Sequence, residues 1–331
     1  MIKRLYIIFA MIIFGWPLIV HGSPKKMEIR FGTVQAAGSH YVYCVNLAKV
    51  LSQYVPEINV NVIETGASIE NLHLANRGDI DMGIASFDSI NRAYKGVNEF
   101  RGEANPELRL LWPSAFLPVN IIVSKESGVK SLYDLEGKKF NGGGTGTATE
   151  QVSLSLFDAL GIKPKFFRGG LALARDAMKN RQIAGFIKTV VPDQSVMDVA
   201  QGIDIRFLEL PEADFEKANA KYPGTFIHGG VAANSYGKGL PPKFVPTFAL
   251  VVIDFTTSRL PQDIGYKMAK AVYEHPGEIE KAFKYFKEGF SNFPTPYVND
   301  APIYLHAGVV KFIKELGVDV PRDKIPPEFE D

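Results

Sequence analysis

Met27-Glu28-Ile29-Arg30-Phe31-Gly32-Thr33 alternates apolar with polar residues and ends in small ones, the pattern of a half-buried strand running into a loop. Working outward, Tyr41 to Tyr54 has helical spacing, with Val42, Val45, Leu47, Ala48 and Leu51 on one side. Ile58-Asn59-Val60-Asn61-Val62-Ile63-Glu64 alternates again, and Thr65-Gly66-Ala67-Ser68 then opens a helix carrying Ile69, Leu72 and Leu74. Met82 to Ala85 and Leu108 to Trp112 read as further strands. A β-α-β-α-β order predicts a mostly parallel sheet covered by helices.

The pattern then restarts. Val119 to Val123 reads as a strand, and Gly137 to Phe140 leads into Gly142-Gly143-Gly144-Thr145-Gly146-Thr147-Ala148-Thr149-Glu150 and a helix that stops at Gly161. Strands at 165–167 and 185–187 complete a second α/β unit. A long apolar strand near Val245 to Phe255 and helices around 261–275, 276–287 and 302–316 are too few for a third domain. The expectation is an α/β chain of two lobes with a cleft between them: residues 23–115 with 245–331 packing back as lobe 1, and 116–244 as lobe 2.

The chain has 331 residues, 46% of them hydrophobic and 22% charged, enough for two ordinary cores. Its net charge of +1, with both signs scattered, argues against a nucleic-acid binder. One cysteine excludes an intramolecular disulfide framework, and the six histidines fall in no HExxH or i, i+4 pattern, so neither a metal site nor a cofactor is expected. Lys3 and Arg4 precede the apolar run Leu5 to Val20, and Val20-His21-Gly22 offers a cleavage point, so residues 1–22 read as a signal peptide. The competing reading, an uncleaved anchor, has only 16 apolar positions interrupted by Pro17 where about 20 are needed. The expected product is a periplasmic monomer.

Thr33 to Tyr41, Thr65 to Ser68, Ser86 to Asp88 and Thr145 to Thr149 share one design: a strand ends, small or hydroxyl residues follow, and a helix begins. In open α/β sheets ligands bind beyond the carboxyl ends of strands, where the first helical N–H groups lack partners and favour an anion. Such loops in both lobes suit a small carboxylate; the alternative is that each Ser or Thr is only a helix cap. The glycines at 142–146 are not followed by the lysine of a phosphate loop, and the sequence has no GxSxG elbow. Asp79 and Asp81 read as turn residues, Cys44 as a buried thiol, and His306, Phe283 and Phe286 as packing groups.

At these residues the chain resembles the TAXI-type solute receptors of tripartite ATP-independent periplasmic (TRAP) transporters. Glu64-Thr65-Gly66-Ala67-Ser68-Ile69-Glu70-Asn71-Leu72 is similar to that family's ETTGGSVENL, and Gly78-Asp79-Ile80-Asp81-Met82-Gly83 to its GEADLG. Ser131 to Lys138 resembles SLxDLKGK, Gly146 to Glu150 resembles GSGTE, and Leu305-His306-Ala307-Gly308 with Lys314 to Gly317 resembles the C-terminal signature. The resemblance implies a type II periplasmic binding protein fold with a hinged cleft, capture of a carboxylate such as glutamate, glutamine or 2-oxoglutarate, and delivery to a membrane permease. It places ligand contacts at Thr33, Ser39, His40, Tyr41, Thr65, Ala67, Ser68, Ser86, Asp88, Thr145, Gly146, Thr147, Ala148, Thr149, Lys188 and Thr189.

Departures from the family pattern matter. His40 stands where a tyrosine is common, Cys44 where a glycine is, and Lys188-Thr189-Val190-Val191 replaces Val-Thr-Ala-Gly. Two readings of His40 and Lys188 stay open: they bring positive charge that favours a more anionic ligand, or they face solvent. A ligand-sensing subunit or a receptor for an ABC-type importer would share the same cleft. An enzyme on this scaffold would need an acid–base pair or a nucleophile, which the sequence does not offer, so no catalysis is expected.

Overall fold

The computed structural model describes residues 26–36, 39–222 and 225–331, with the side chain of Ser39 left aside, and the expected signal peptide at 1–22 lies outside the described residues. Among the described residues the strands are β1 (Met27–Gly32), β2 (Ile58–Ile63), β3 (Met82–Ser86), β4 (Leu108–Ser124), β5 (Lys139–Phe140), β6 (Lys165–Phe166), β7 (Gly185–Thr189), β8 (Ile205–Phe207), β9 (Ile227–Val231) and β10 (Val245–Thr257). One sheet runs β2-β1-β3-β10-β4, with β1 parallel to β2 and β3, and β10 antiparallel to β3 and β4. The upper half of β4 continues into a second sheet, antiparallel to β7 and β8, and a parallel bridge from Asn141 to Phe186 attaches the β5–β6 pair. The start of β10 likewise carries β9. Two long antiparallel strands therefore belong to both lobes and form the crossover between them.

The sequence reads Leu108–Trp112 and Val119–Val123 as separate strands, whereas the structure joins them in the 17-residue β4. Pro113 and Pro118 suggest a break, yet they sit opposite Ile253 and Ala249 without ending the pairing. Register shifts flank Ile253, and there the ladder bends. Asp254 points from this bend into the core, where its Oδ2 accepts from the Tyr43 hydroxyl at 2.5 Å and the Trp112 indole donates to the same hydroxyl at 3.3 Å. Burial pushes the Asp254 carboxyl well above the carboxylate range.

Helix 39–54 covers this core with Tyr43, Cys44, Leu47, Val50 and Leu51, and each such fully buried apolar side chain contributes about 1.5–3 kcal/mol. Val42, placed on the apolar side by sequence, is 45% exposed, because the buried stripe is turned by one position. The C-terminal helices 262–274, 276–280, 285–290 and 307–315 return to lobe 1: helix 285–290 lies on β4, and helix 262–274 packs on helices 39–54 and 307–315. His306 is buried there, with Nε2 2.9 Å from Leu260 O and Nδ1 accepting from Gly308 N at 3.2 Å. Cys44 is fully buried. Asp81 lies in the bend before β3, held by the Arg30 guanidinium at 2.9 Å. No helix among the described residues is long and apolar enough to cross a membrane.

Candidate functional site in the interlobe cleft

The lobe 1 loops are tied together from within. Thr33 is fully buried; its hydroxyl donates to Ile63 O at 2.8 Å, and its carbonyl faces Thr65 Oγ1 at 2.8 Å. Asn71, which sequence reasoning missed as a site residue, donates through Nδ2 to Thr33 O and Ile84 O, both at 2.9 Å, while its Oδ1 lies 2.7 Å from Thr65 Oγ1. One buried amide thus fixes the loops after β1 and β2 against strand β3. Thr33 and Thr65 serve this internal network. Ser86 caps its helix by accepting from Ser89 N at 3.3 Å, and Ser68 is buried at the start of helix 68–77. Ala67 occupies the N-cap of that helix at φ 80, ψ −153, a region that only glycine adopts freely.

Lobe 2 repeats the device. Asn141 donates to Phe167 O (2.9 Å) and Gly169 O (3.1 Å) and accepts from Gly143 N (3.1 Å), which shapes the glycine loop. Thr147 is the N-cap of helix 148–160, accepting from Glu150 N at 3.2 Å and donating to Gly144 O at 2.7 Å. Glu150 Oε2 accepts from Gly146 N at 2.8 Å, and Arg168 pairs with its other oxygen. Thr149 and Thr189 bring their hydroxyls within 3.4 Å, joining the glycine loop to the end of β7. Gly146 and Ala148 are half-buried in the same turn, and Thr145 is exposed. Asn120 Nδ2 donates to Lys188 O and Val190 O, at 3.1 and 2.8 Å, and its Oδ1 accepts from Tyr236. This clamp holds Val190 at φ 84, an unfavourable backbone for a β-branched residue.

A buried polar contact crosses between the lobes. Asp88, 4% exposed, accepts from the Thr225 hydroxyl at 3.0 Å on one oxygen and pairs with Arg92 Nη1 at 2.6 Å on the other. Burial raises its carboxyl above the ordinary range, against the opposing pulls of Arg92 and Thr225. Arg92 also pairs with Glu99 at 3.0 Å, so its charge is shared between two carboxylates. His40, at the start of helix 39–54 in lobe 1, feels the charge of Lys188 in lobe 2. The His40 ring leans on Phe283 with centroids 4.9 Å apart, and its Nε2 is buried with no hydrogen-bond partner among the described residues. Burial, helped by the Lys188 ammonium, lowers the His40 pKa to about 4, so the imidazole is neutral at pH 7. Lys188 Nζ lies 3.7 Å from Asp193 Oδ2 and its side chain is 26% exposed. Neither reading of these two residues from sequence survives intact: they do not simply face solvent, and His40 adds no positive charge. Tyr41 is half-buried one residue further along helix 39–54.

No group of three or more His, Cys, Asp or Glu side chains able to hold a metal ion occurs among the described residues. A cavity of about 660 Å³ is lined by residues that include Lys130, Tyr133, Arg206 and Lys243, and by none of the ligand contacts expected from the sequence.

Solved structures share the architecture. A periplasmic sulfonate-binding protein of Methylobacillus flagellatus KT is similar at 14% identity, with 92% of this chain and 98% of that chain covered and a TM-score of 0.52. A TctC solute-binding protein from Polaromonas is similar at 14% identity, covering 89% and 100%, with a TM-score of 0.52. A Xanthomonas citri protein solved with a chloride ion matches at 10% identity over 87% and 99%, with a TM-score of 0.53. At these identities the likeness establishes the two-lobed periplasmic binding protein fold. The sequence itself matches the NMT1-like family over residues 31–317, and with nearly the whole described chain included, this protein belongs to the NMT1-like family.

Proposed function

We propose that this protein is a periplasmic solute receptor that captures a small carboxylate between its lobes and delivers it to a TRAP-type membrane permease, as the TAXI receptors it resembles would. On this reading residues 1–22 direct export, residues 23–115 with 245–331 form one jaw, and residues 116–244 form the other. The observation that carries the proposal is the hydrogen bond from Thr225 to Asp88, a buried contact between polar groups of the two lobes. Closure of the jaws around the ligand is the working step, and the closed form is what the permease recognises. Backbone strain supports the same place: Ala67 and Val190 hold positive φ on opposite lobes, and strained residues of this kind persist at binding sites because the surroundings enforce them.

The test is to purify the chain from Ser23 onward and identify by native mass spectrometry any small molecule that accompanies it. The stripped protein is then screened by thermal shift against amino acids, keto acids and dicarboxylates. A ligand at 100 times its Kd adds about 2.7 kcal/mol of stability. A carboxylate that stabilises and is recovered unchanged supports a receptor. Conversion of the ligand to product, or no stabilisation by any carboxylate, refutes the proposal.

A further inference from the structure

The cavity of about 660 Å³ has the size of a ligand site, since small-molecule pockets run to about 300–1,000 Å³ and are mostly apolar with a few placed polar groups. Both crossover strands end at it: β4 stops one residue before Lys125, and β10 starts at Val245. Three side-chain contacts stitch its walls together. Arg206 Nη1 donates to Val129 O at 2.5 Å, the Tyr133 hydroxyl donates to Asp214 Oδ1 at 2.7 Å, and Lys243 Nζ pairs with Glu209 Oε1 at 2.8 Å. The segments around residues 129–133, 206–214 and 239–245 are thus fastened before any occupant arrives, which lowers the cost of binding one. Leu132, Phe207 and Val245, none more than 8% exposed, give the lining its apolar part.

The charge of this lining is not balanced. Among the described residues it carries Lys125, Lys130, Arg206 and Lys243 against Glu209 and Asp214. Both carboxylates are the ones already engaged, by Lys243 and by Tyr133. Lys125 stands 3.9 Å from Asp204 in an exposed pair that contributes little. Lys130 Nζ and the Arg206 guanidinium have no ion-pair partner within 4.0 Å among the described residues. Asp134, the acidic residue closest to Lys130 in sequence, turns Oδ2 to the backbone, accepting from Lys130 N and Ser131 N at 2.9 Å each. Arg206 is half-buried, and its bond to Val129 O uses one of five N–H donors.

We infer that this cavity is a binding site separate from the interlobe cleft, for a small organic anion whose carboxylate or sulfonate meets Arg206 and Lys130 while its apolar body lies against Leu132, Phe207 and Val245. None of the cavity's residues is a ligand contact expected in the cleft, so the inference stands apart from what the cleft captures.

The test uses two fluorescent probes of one skeleton, anilinonaphthalene sulfonate and phenylnaphthylamine, the second lacking the sulfonate. Titrated into the mature protein, the anionic probe should bind saturably at one site, about tenfold or more tighter than the neutral one, as a charge-assisted contact requires. Arg206→Met should weaken the anionic probe about tenfold, and Arg206→Lys should recover part of that loss. Lys130→Met, which alters an exposed side chain, should weaken it severalfold. Neither methionine variant should change the neutral probe, and circular dichroism confirms that each is folded. Equal affinity for the two probes, absence of saturable binding, or unchanged binding of the anionic probe in both Lys130→Met and Arg206→Met overturns the inference and leaves the receptor proposal untouched.

Discussion

Replacing His40 by glutamine should flatten part of the acid sensitivity of this protein, by an amount the structure lets one calculate. The imidazole has a pKa of about 4 in the folded chain, lowered first by burial and then by Lys188, against about 6.5 when unfolded. Because the folded value is the lower one, the unfolded chain takes up a proton that the folded chain refuses. The contribution of neutral His40 is therefore intact above pH 6.5, is lost progressively as pH falls toward 4, and changes no further below that. At 1.36 kcal/mol per pH unit the loss over this interval is about 3 kcal/mol. Urea unfolding followed by circular dichroism at pH 7, 6, 5 and 4 gives the stability of wild type and His40→Gln. His306 is also lowered by burial, and titrating carboxylates add their own slopes, but these are common to both proteins and cancel in the difference. Wild type should lose about 3 kcal/mol more than His40→Gln between pH 7 and pH 4. Parallel curves would refute the burial of a neutral imidazole at the lobe seam.

Three other perturbations follow from single contacts. Thr225→Val keeps the side-chain shape but removes the donor to Asp88, a hydrogen bond to a charged group worth about 1.5–3 kcal/mol; ligand affinity should fall about tenfold or more and small-angle scattering should report a more open protein, whereas no change in either measurement rules out the contact as a latch. Ala67→Gly relieves a φ of 80 and should raise the unfolding free energy by about 1 kcal/mol in denaturant, a gain that a measured loss would contradict. Gly308→Ala would put a Cβ 2.2 Å from Tyr266 N and 2.3 Å from Gln262 O, backbone atoms that can yield only if helices 262–274 and 307–315 separate. About 3 kcal/mol of stability should be lost in thermal or chemical unfolding, and a wild-type transition would show that the helices do not approach so closely.

Much of lobe 1 was legible because its elements announce themselves locally. The alternation of Met27–Gly32 and Ile58–Ile63 is intrinsic to a strand with one buried face, and the two pair in parallel along their full length. Elements that depend on a distant partner were not legible. Ile205–Phe207 is only three residues long and exists as a strand because β4 accepts it, and Ile227–Val231 contains Gly229 and Gly230, residues of poor strand propensity. Gly230 is needed because a Cβ there would stand 2.6 Å from the Val245 backbone carbonyl, a contact no local pattern reveals. The hydroxyl loops of the site were visible as cap-like segments. Their fasteners were not: Asn71 and Asn141 look like ordinary polar residues, and Thr225 meets Asp88 across 137 positions of sequence.

The internal fastening bears on how a ligand can act at all. A ligand favours the closed jaws only to the extent that it binds them better than the open ones. Thr33, Thr65, Ser86 and Thr147 are occupied by contacts within their own lobe, so they gain nothing from closure and offer little leverage. Asp88 and Thr225 do gain, but they satisfy each other without help, which makes them a latch that operates with or without cargo. His40 Nε2 differs, being buried with no hydrogen-bond partner among the described residues, and a ligand atom that reaches it only in the closed form would favour closure.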